Sequence, residues 1–152
     1  MPTESTKAKL MEMSLTATAR SIPGTLRQEV AIDGKHRLFT DEPERLGGEG
    51  RGPAPHELFP AALAACISTT LAMYARTKGW DLGELAVSVD YDNHATPRRF
   101  EIAVEVGGEL SAEQLQRLEK VAESCPLRRS LEAGFAFSES IAPHARRPER
   151  VS

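Results

Sequence analysis

The sequence predicts an α+β fold, antiparallel strands with helices on one face of them. Short runs that alternate apolar with polar residues flank one long apolar segment, helix signals follow the second group of runs, and no strand–helix–strand rhythm of a parallel sheet is present. At 152 residues the chain reads as one domain, long enough to bury ~70% of its unfolded surface without disulfides or a structural metal. Its expected boundaries are a flexible tail over 1–11, the domain over 12–142 and a second flexible tail over 143–152. Both ends are polar and aperiodic.

Met13, Leu15, Ala17 and Ala19 alternate with polar neighbours and open the first strand. Leu26 to Ile32 and His36 to Thr40 follow as strand runs, and Asp33-Gly34 between them signals a hairpin. From Asp41 to Pro55 the glycines and prolines of DEPERLGGEGRGPAP require a loop, long enough to suggest a function. HELFPAALAACISTTLAMYARTKG then reads as a helix, with Gly79 as its C-terminal cap and Arg76 and Lys78 in its last turn. Apolar residues occupy all its faces, so it needs cover all round, from a sheet and a second helix or from a partner subunit.

Leu85 to Tyr91 and Phe100 to Val106 alternate and predict an antiparallel pair with one wet face. Ser111 and Gln114 form a capping-box spacing, opening a helix whose inward stripe is Leu115, Leu118, Val121, Ala122 and Cys125. Pro126 starts a short helix that Gly134 closes. The alternation of Phe135 to Ile141 predicts a final strand.

Composition and motifs exclude several functions. With 19 Lys and Arg against 22 Asp and Glu the formal charge is −3, and no aromatic-rich basic run exists to hold a nucleic acid strand. Arg146, Arg147 and Arg150 near the end read as a solvated cluster or a small partner contact. The polar start MPTESTKAKLMEM lacks an export signal, so a cytoplasmic protein is expected. The apolar stretch Leu58 to Met73 is shorter than the ~20 residues of a membrane span. The four histidines show no metal-ligand spacing, the glycine-rich Gly47 to Gly52 lacks the Lys-Ser/Thr of a phosphate loop, and no Gly-x-Ser-x-Gly occurs.

Two cysteines remain. Cys66, midway along the apolar helix, is by position alone a small packed hydrophobe. Cys125 precedes Pro126 at a helix start, with Arg128 and Arg129 close behind, so the helix N-terminus and the cations favour its thiolate. If the two helices pack together the thiols can meet, and a proximal pair in a reducing compartment reads as catalytic.

GPAPHELFPAALAAC (Gly52 to Cys66), the TLAMYARTKGW that follows it and ESCPLRRSLEAG (Glu123 to Gly134) resemble the signature helices of the OsmC/Ohr family, the osmotically inducible and organic hydroperoxide resistance proteins. Phe39-Thr-Asp-Glu-Pro and Leu46-Gly-Gly fit its lead-in. The resemblance spans Leu15 to Ile141 and implies an OsmC-like intertwined homodimer with the long helices buried at its centre. It further implies reduction of organic hydroperoxides at sites on the dimer interface, with an external dithiol as reductant and no cofactor or metal. Cys66 then resembles the peroxidatic thiol and Cys125 the resolving one. The family's peroxidases activate the thiol with an Arg and a Glu. Arg27 fits the Arg better than Arg20 does. His56 stands ten residues before Cys66, where the Glu is expected, with Glu57 one position on. His56 is either a base or orienting group or a plain surface residue. The alternative function is a non-peroxidase binder of an apolar or electrophilic small molecule at the dimer interface.

Overall fold

The structure is a computed structural model that describes residues 15–143. The expected tail over 1–11, Met13, His144 and the Arg146, Arg147 and Arg150 cluster lie outside the described residues.

Three strands, β1 (Ala17–Ser21), β2 (Gln28–Ile32) and β3 (His36–Thr40), form an antiparallel meander in the order β1-β2-β3. Asp33 and Gly34 both take positive φ, 51° and 65°, and the Lys35 amide donates to the Ile32 carbonyl at 3.1 Å. That two-residue turn matches strand twist, which is why Asp-Gly marks the hairpin. The first strand starts later than the alternation implies: Leu15 precedes it and is exposed.

The loop that follows contains two short 3₁₀ turns, Glu44–Leu46 and Pro55–Glu57, and the second feeds α1 (Leu58–Lys78). Pro60 falls in the first turn of α1, where a missing N–H costs little. Gly79 ends the helix with φ 70°, its amide donating to the Ala75 and Arg76 carbonyls. Leu63, Ile67, Leu71 and Ala75 recur every four residues and are the buried stripe of α1. Full burial of each of the three large side chains contributes about 1.5–3 kcal/mol.

Strands β4 (Leu85–Asp92) and β5 (Arg99–Val106) pair antiparallel, with Val87 opposite Val104, Val89 opposite Ile102 and Tyr91 opposite Phe100. Along β4 half-buried and exposed residues alternate strictly, and the inward side chains pack against α1. Helix α2 (Ala112–Ala122) begins with the expected capping box: the Gln114 amide donates to Ser111 Oγ at 3.1 Å and the Ser111 amide to Gln114 Oε1 at 2.8 Å. Leu118 and Val121 of its stripe are buried, whereas Leu115 is not. Helix α3 (Pro126–Ala133) starts on Pro126 as expected.

The expected final strand over Phe135 to Ile141 does not form. These residues have no regular structure and are exposed, Ile141 fully so. A strand exists only by pairing, and no described strand takes this segment as a neighbour. Its alternating sequence is therefore left without a ladder.

Cover for α1 is also incomplete within one chain. Beside the buried stripe, Ala61, Ala62, Ala65, Thr69, Ala72 and Met73 are exposed along one face. Among the described residues no helix packs extensively on the β1-β2-β3 sheet, and Phe39 is 43% exposed. With its 3₁₀ lead-in, α1 is 24 residues from Pro55 to Lys78, longer than the apolar stretch read from sequence. By length and composition that helix could cross a membrane, a test that core helices of soluble proteins also meet.

Candidate thiol site

Cys66 lies in the middle of α1 and is half-buried, and Cys125 is the N-cap of α3 and fully buried. A tight turn fixes Cys125 between α2 and α3. Its amide donates to the Ala122 carbonyl at 3.2 Å, Ser124 Oγ donates to the Val121 carbonyl at 2.6 Å, and the Cys125 carbonyl accepts from the Arg129 amide at 3.0 Å. Both α2 and α3 pack on α1, which brings the Cys125 side chain within hydrogen-bonding reach of Cys66. Both cysteines are free thiols.

Pro126, at the first position of α3, has no N–H, so the Leu127 amide is the next one free of an intrahelical partner. That amide acts on the Cys66 thiol in the direction that favours its charged form. The N-terminus of α3 therefore acts on Cys66 as well as on Cys125, its own N-cap, because α3 docks on α1. Thr70, one turn after Cys66, donates its hydroxyl to the Cys66 carbonyl at 2.8 Å and also lies within reach of the sulfur. Burial pushes the Cys66 thiol up and the Cys125 side chain acts in the same direction; the Leu127 amide and the Thr70 hydroxyl oppose them without overcoming them. The net result is a thiol above its ordinary range, mostly protonated at neutral pH.

Neither Thr70 nor Leu127 was read from the sequence. The available signals were a hydroxyl residue four positions after the helix cysteine and a proline that leaves the second amide of α3 as a donor.

The other expected site residues stand elsewhere in the chain. Arg27 lies at the edge of the meander, its guanidinium carbon 5.5 Å from the Phe39 ring centre, and its charge faces Asp41. Arg20 is exposed on β1 across from Glu29. His56 meets Tyr91 edge to face at 5.6 Å, within an aromatic group completed by Phe59 and Phe100. Glu57 Oε2 accepts the Ala54 amide at 3.1 Å, fastening the 3₁₀ turn. Ten helical residues rise about 15 Å, so His56, in the 3₁₀ turn before α1, lies far from Cys66 in its middle. His56 and Glu57 instead line a cavity of about 580 Å³ with Glu42, Arg45 and Leu46, which neither cysteine borders. One chain thus assembles the thiol pair and places the candidate Arg, His and Glu in two other groups. Among the described residues no three His, Cys, Asp or Glu side chains gather as metal ligands.

Asp41 organises the loop between the meander and α1. Its side chain is 1% exposed, Oδ1 accepting the Glu42 amide at 2.9 Å and Oδ2 those of Glu49 and Arg51 at 3.2 and 3.1 Å. Gly48 lets the loop close on itself, since a Cβ there would sit 1.8 Å from the Glu42 carbonyl oxygen. Burial opposes ionisation of Asp41, but the three amides and the Arg27 charge outweigh it and hold the carboxyl below its usual value. A depressed folded pKa stabilises the fold above the unfolded carboxylate value of about 3.9 and loses that contribution as pH falls through the folded value. Asp41→Asn is therefore expected to lower the thermal midpoint at pH 6, and the gap to wild type is expected to close towards pH 2. Thermal unfolding followed by circular dichroism across that range checks both.

An α+β chain that sets Cys66 of α1 against Cys125 at the start of α3, with one face of α1 and much of the meander exposed among the described residues, defines a two-thiol protein. The family model described as OsmC-like protein matches residues 48–140, and the chain belongs to that family. Solved structures share the fold. A putative osmotic stress induced and detoxification response protein from Psychrobacter arcticus is 24% identical, with a TM-score of 0.64 over 78% of this chain and 88% of that one. An organic hydroperoxide resistance protein OsmC from Legionella pneumophila, also described as a predicted redox protein, is 27% identical with a TM-score of 0.56 over 78% and 88%. A putative organic hydroperoxide resistance protein from Vibrio cholerae, with captopril bound in one of its active sites, is 25% identical with a TM-score of 0.55 over 78% and 85%. No curated protein matches the chain.

Proposed function

We propose that the chain is a thiol-dependent redox protein that reduces organic hydroperoxides as a cytoplasmic homodimer, using Cys66 and Cys125. The observation that carries this reading is the reach of the Cys125 side chain to Cys66, two free thiols on separate helices. The naming of the Legionella pneumophila protein as an organic hydroperoxide resistance protein, and of the Vibrio cholerae one as a putative member of that kind, supports the substrate class. Free thiols fit a reducing compartment, and α1, which is apolar on all sides, fits the centre of a dimer as well as it would fit a bilayer.

In the first step the Cys66 thiolate attacks the distal oxygen of the hydroperoxide. The O–O bond breaks, the alcohol leaves with a proton, and Cys66 becomes a sulfenic acid. The Cys125 thiol then attacks that sulfur, releasing water and forming a disulfide. An external dithiol reduces the disulfide by exchange and is itself oxidised. Among the described residues no cation acts on the raised Cys66 thiol, and Arg27 from a second copy, carried on the meander, is the group assigned to supply one. His56 and Glu57 retain an orienting role only if the same assembly brings them to the sulfur.

The test is consumption of cumene hydroperoxide by the reduced protein with dihydrolipoamide as the dithiol. One alcohol formed per dithiol oxidised is expected; consumption no faster than in buffer overturns the reading.

A second reading is a non-peroxidase binder of an apolar or electrophilic small molecule, its thiols packed or ligand-sensitive. The upward push of burial on the Cys66 thiol, with no cation acting on it among the described residues, favours it. It predicts alkylation of Cys66 that stays slow until the pH rises past the ordinary thiol range, whereas the peroxidase reading predicts fast alkylation near neutrality in the dimer.

A further inference from the structure

We propose that Thr70 is a positioning residue for the Cys66 sulfur, its hydroxyl acting with the Leu127 amide as a paired donor to the thiolate. The inference deepens the reading above and rests on Cys66 being the attacking thiol.

The geometry is local and follows from the helix. Residue 70 is one turn after residue 66 on the same face of α1, and the half-buried hydroxyl is held there by its 2.8 Å bond to the Cys66 carbonyl. A hydroxyl has a single proton and a freely turning rotor, so the same group donates either to that carbonyl or to the adjacent sulfur. While Cys66 is a neutral thiol, the carbonyl is the better acceptor. Once the sulfur carries charge it becomes the stronger acceptor, because hydrogen bonds to ionised partners are about twice as strong as neutral ones. The Cys66 carbonyl then still keeps its helical partner, so turning the hydroxyl leaves no backbone group orphaned. The Leu127 amide, the first free N–H of α3, favours the charged sulfur in the same sense.

Other groups near the sulfur do not replace this pair. The titratable group facing Cys66 from α3 is Cys125. Arg128 on α3 is tied to Glu132 at 3.0 Å, Arg117 on α2 donates to the Tyr74 hydroxyl at 2.9 Å, and β4 contributes apolar Val87 and Val89.

The test is the pH dependence of iodoacetamide alkylation of the reduced full-length protein, with Cys66 and Cys125 quantified separately by peptide mass spectrometry. Thr70→Val and Thr70→Ala are expected to raise the apparent pKa of Cys66 by about half to one unit, a threefold to tenfold loss of thiolate near neutrality. Thr70→Ser is expected to titrate as wild type. A Cys66 titration unchanged in Thr70→Val and Thr70→Ala overturns the proposal. So does a Thr70→Ser shift as large as theirs, or an equal shift at Cys125. Alkylation involves no hydroperoxide, so loss of the peroxidase reading would leave this titration standing, and an unmoved titration would leave the turnover assay unaffected.

Discussion

Cys66→Ser is expected to abolish hydroperoxide consumption, by at least about 10³-fold, to the rate in buffer. The serine hydroxyl keeps the shape of the site but is protonated at any working pH and is a poor nucleophile towards peroxide oxygen, so the first bond never forms. Cys125→Ser has a different expected signature. Its Cys66 still attacks, so one equivalent of hydroperoxide is consumed per chain and the sulfenic acid persists long enough to be trapped by dimedone. Single-turnover consumption and dimedone labelling of the two variants separate an attacking thiol from a resolving one. Equal residual activity in both would mean that neither role is assigned correctly.

Ala65→Glu is expected to dissociate the proposed dimer. Ala65 lies within the face of α1 formed by Ala61, Ala62, Ala65, Thr69, Ala72 and Met73, exposed in one chain. On a truly solvated helix face this substitution changes stability by no more than about 0.5 kcal/mol. At the centre of a dimer it buries an unpaired carboxylate, at a cost of several kcal/mol. Sedimentation velocity at micromolar concentration is expected to show a wild-type dimer and an Ala65→Glu monomer. A variant that sediments like the wild type would place that face outside any interface.

Most of the fold was legible because local rules agreed with the tertiary outcome. Asp33-Gly34, the Ser111–Gln114 capping box and Gly79 each impose a backbone geometry regardless of distant contacts. The alternation of β4 and β5 matched a sheet with one face on α1. Phe135 to Ile141 shows the limit of such rules, because alternation describes a strand's faces but does not supply the neighbour that makes it a strand. The site was legible by residue type and only partly by environment. Two cysteines on two helices pointed to a pair, but the direction of the Leu127 amide depends on how α3 docks, and no local pattern encodes that. Arg27, His56 and Glu57 were named only through the family resemblance, and folding places them in groups apart from the sulfur. The loop glycines were visible, whereas the part played by Asp41 emerged only when three amides converged on its carboxylate.

The central claim is that Cys66 and Cys125 exchange electrons with an organic hydroperoxide, and intact mass after brief treatment of the reduced protein with one equivalent of cumene hydroperoxide tests it most directly. The account predicts rapid loss of two hydrogen atoms per chain, with peptide mapping that joins Cys66 to Cys125 and reversal by a dithiol. An unchanged mass, or addition of oxygen at Cys66 with no Cys66–Cys125 linkage, would contradict it.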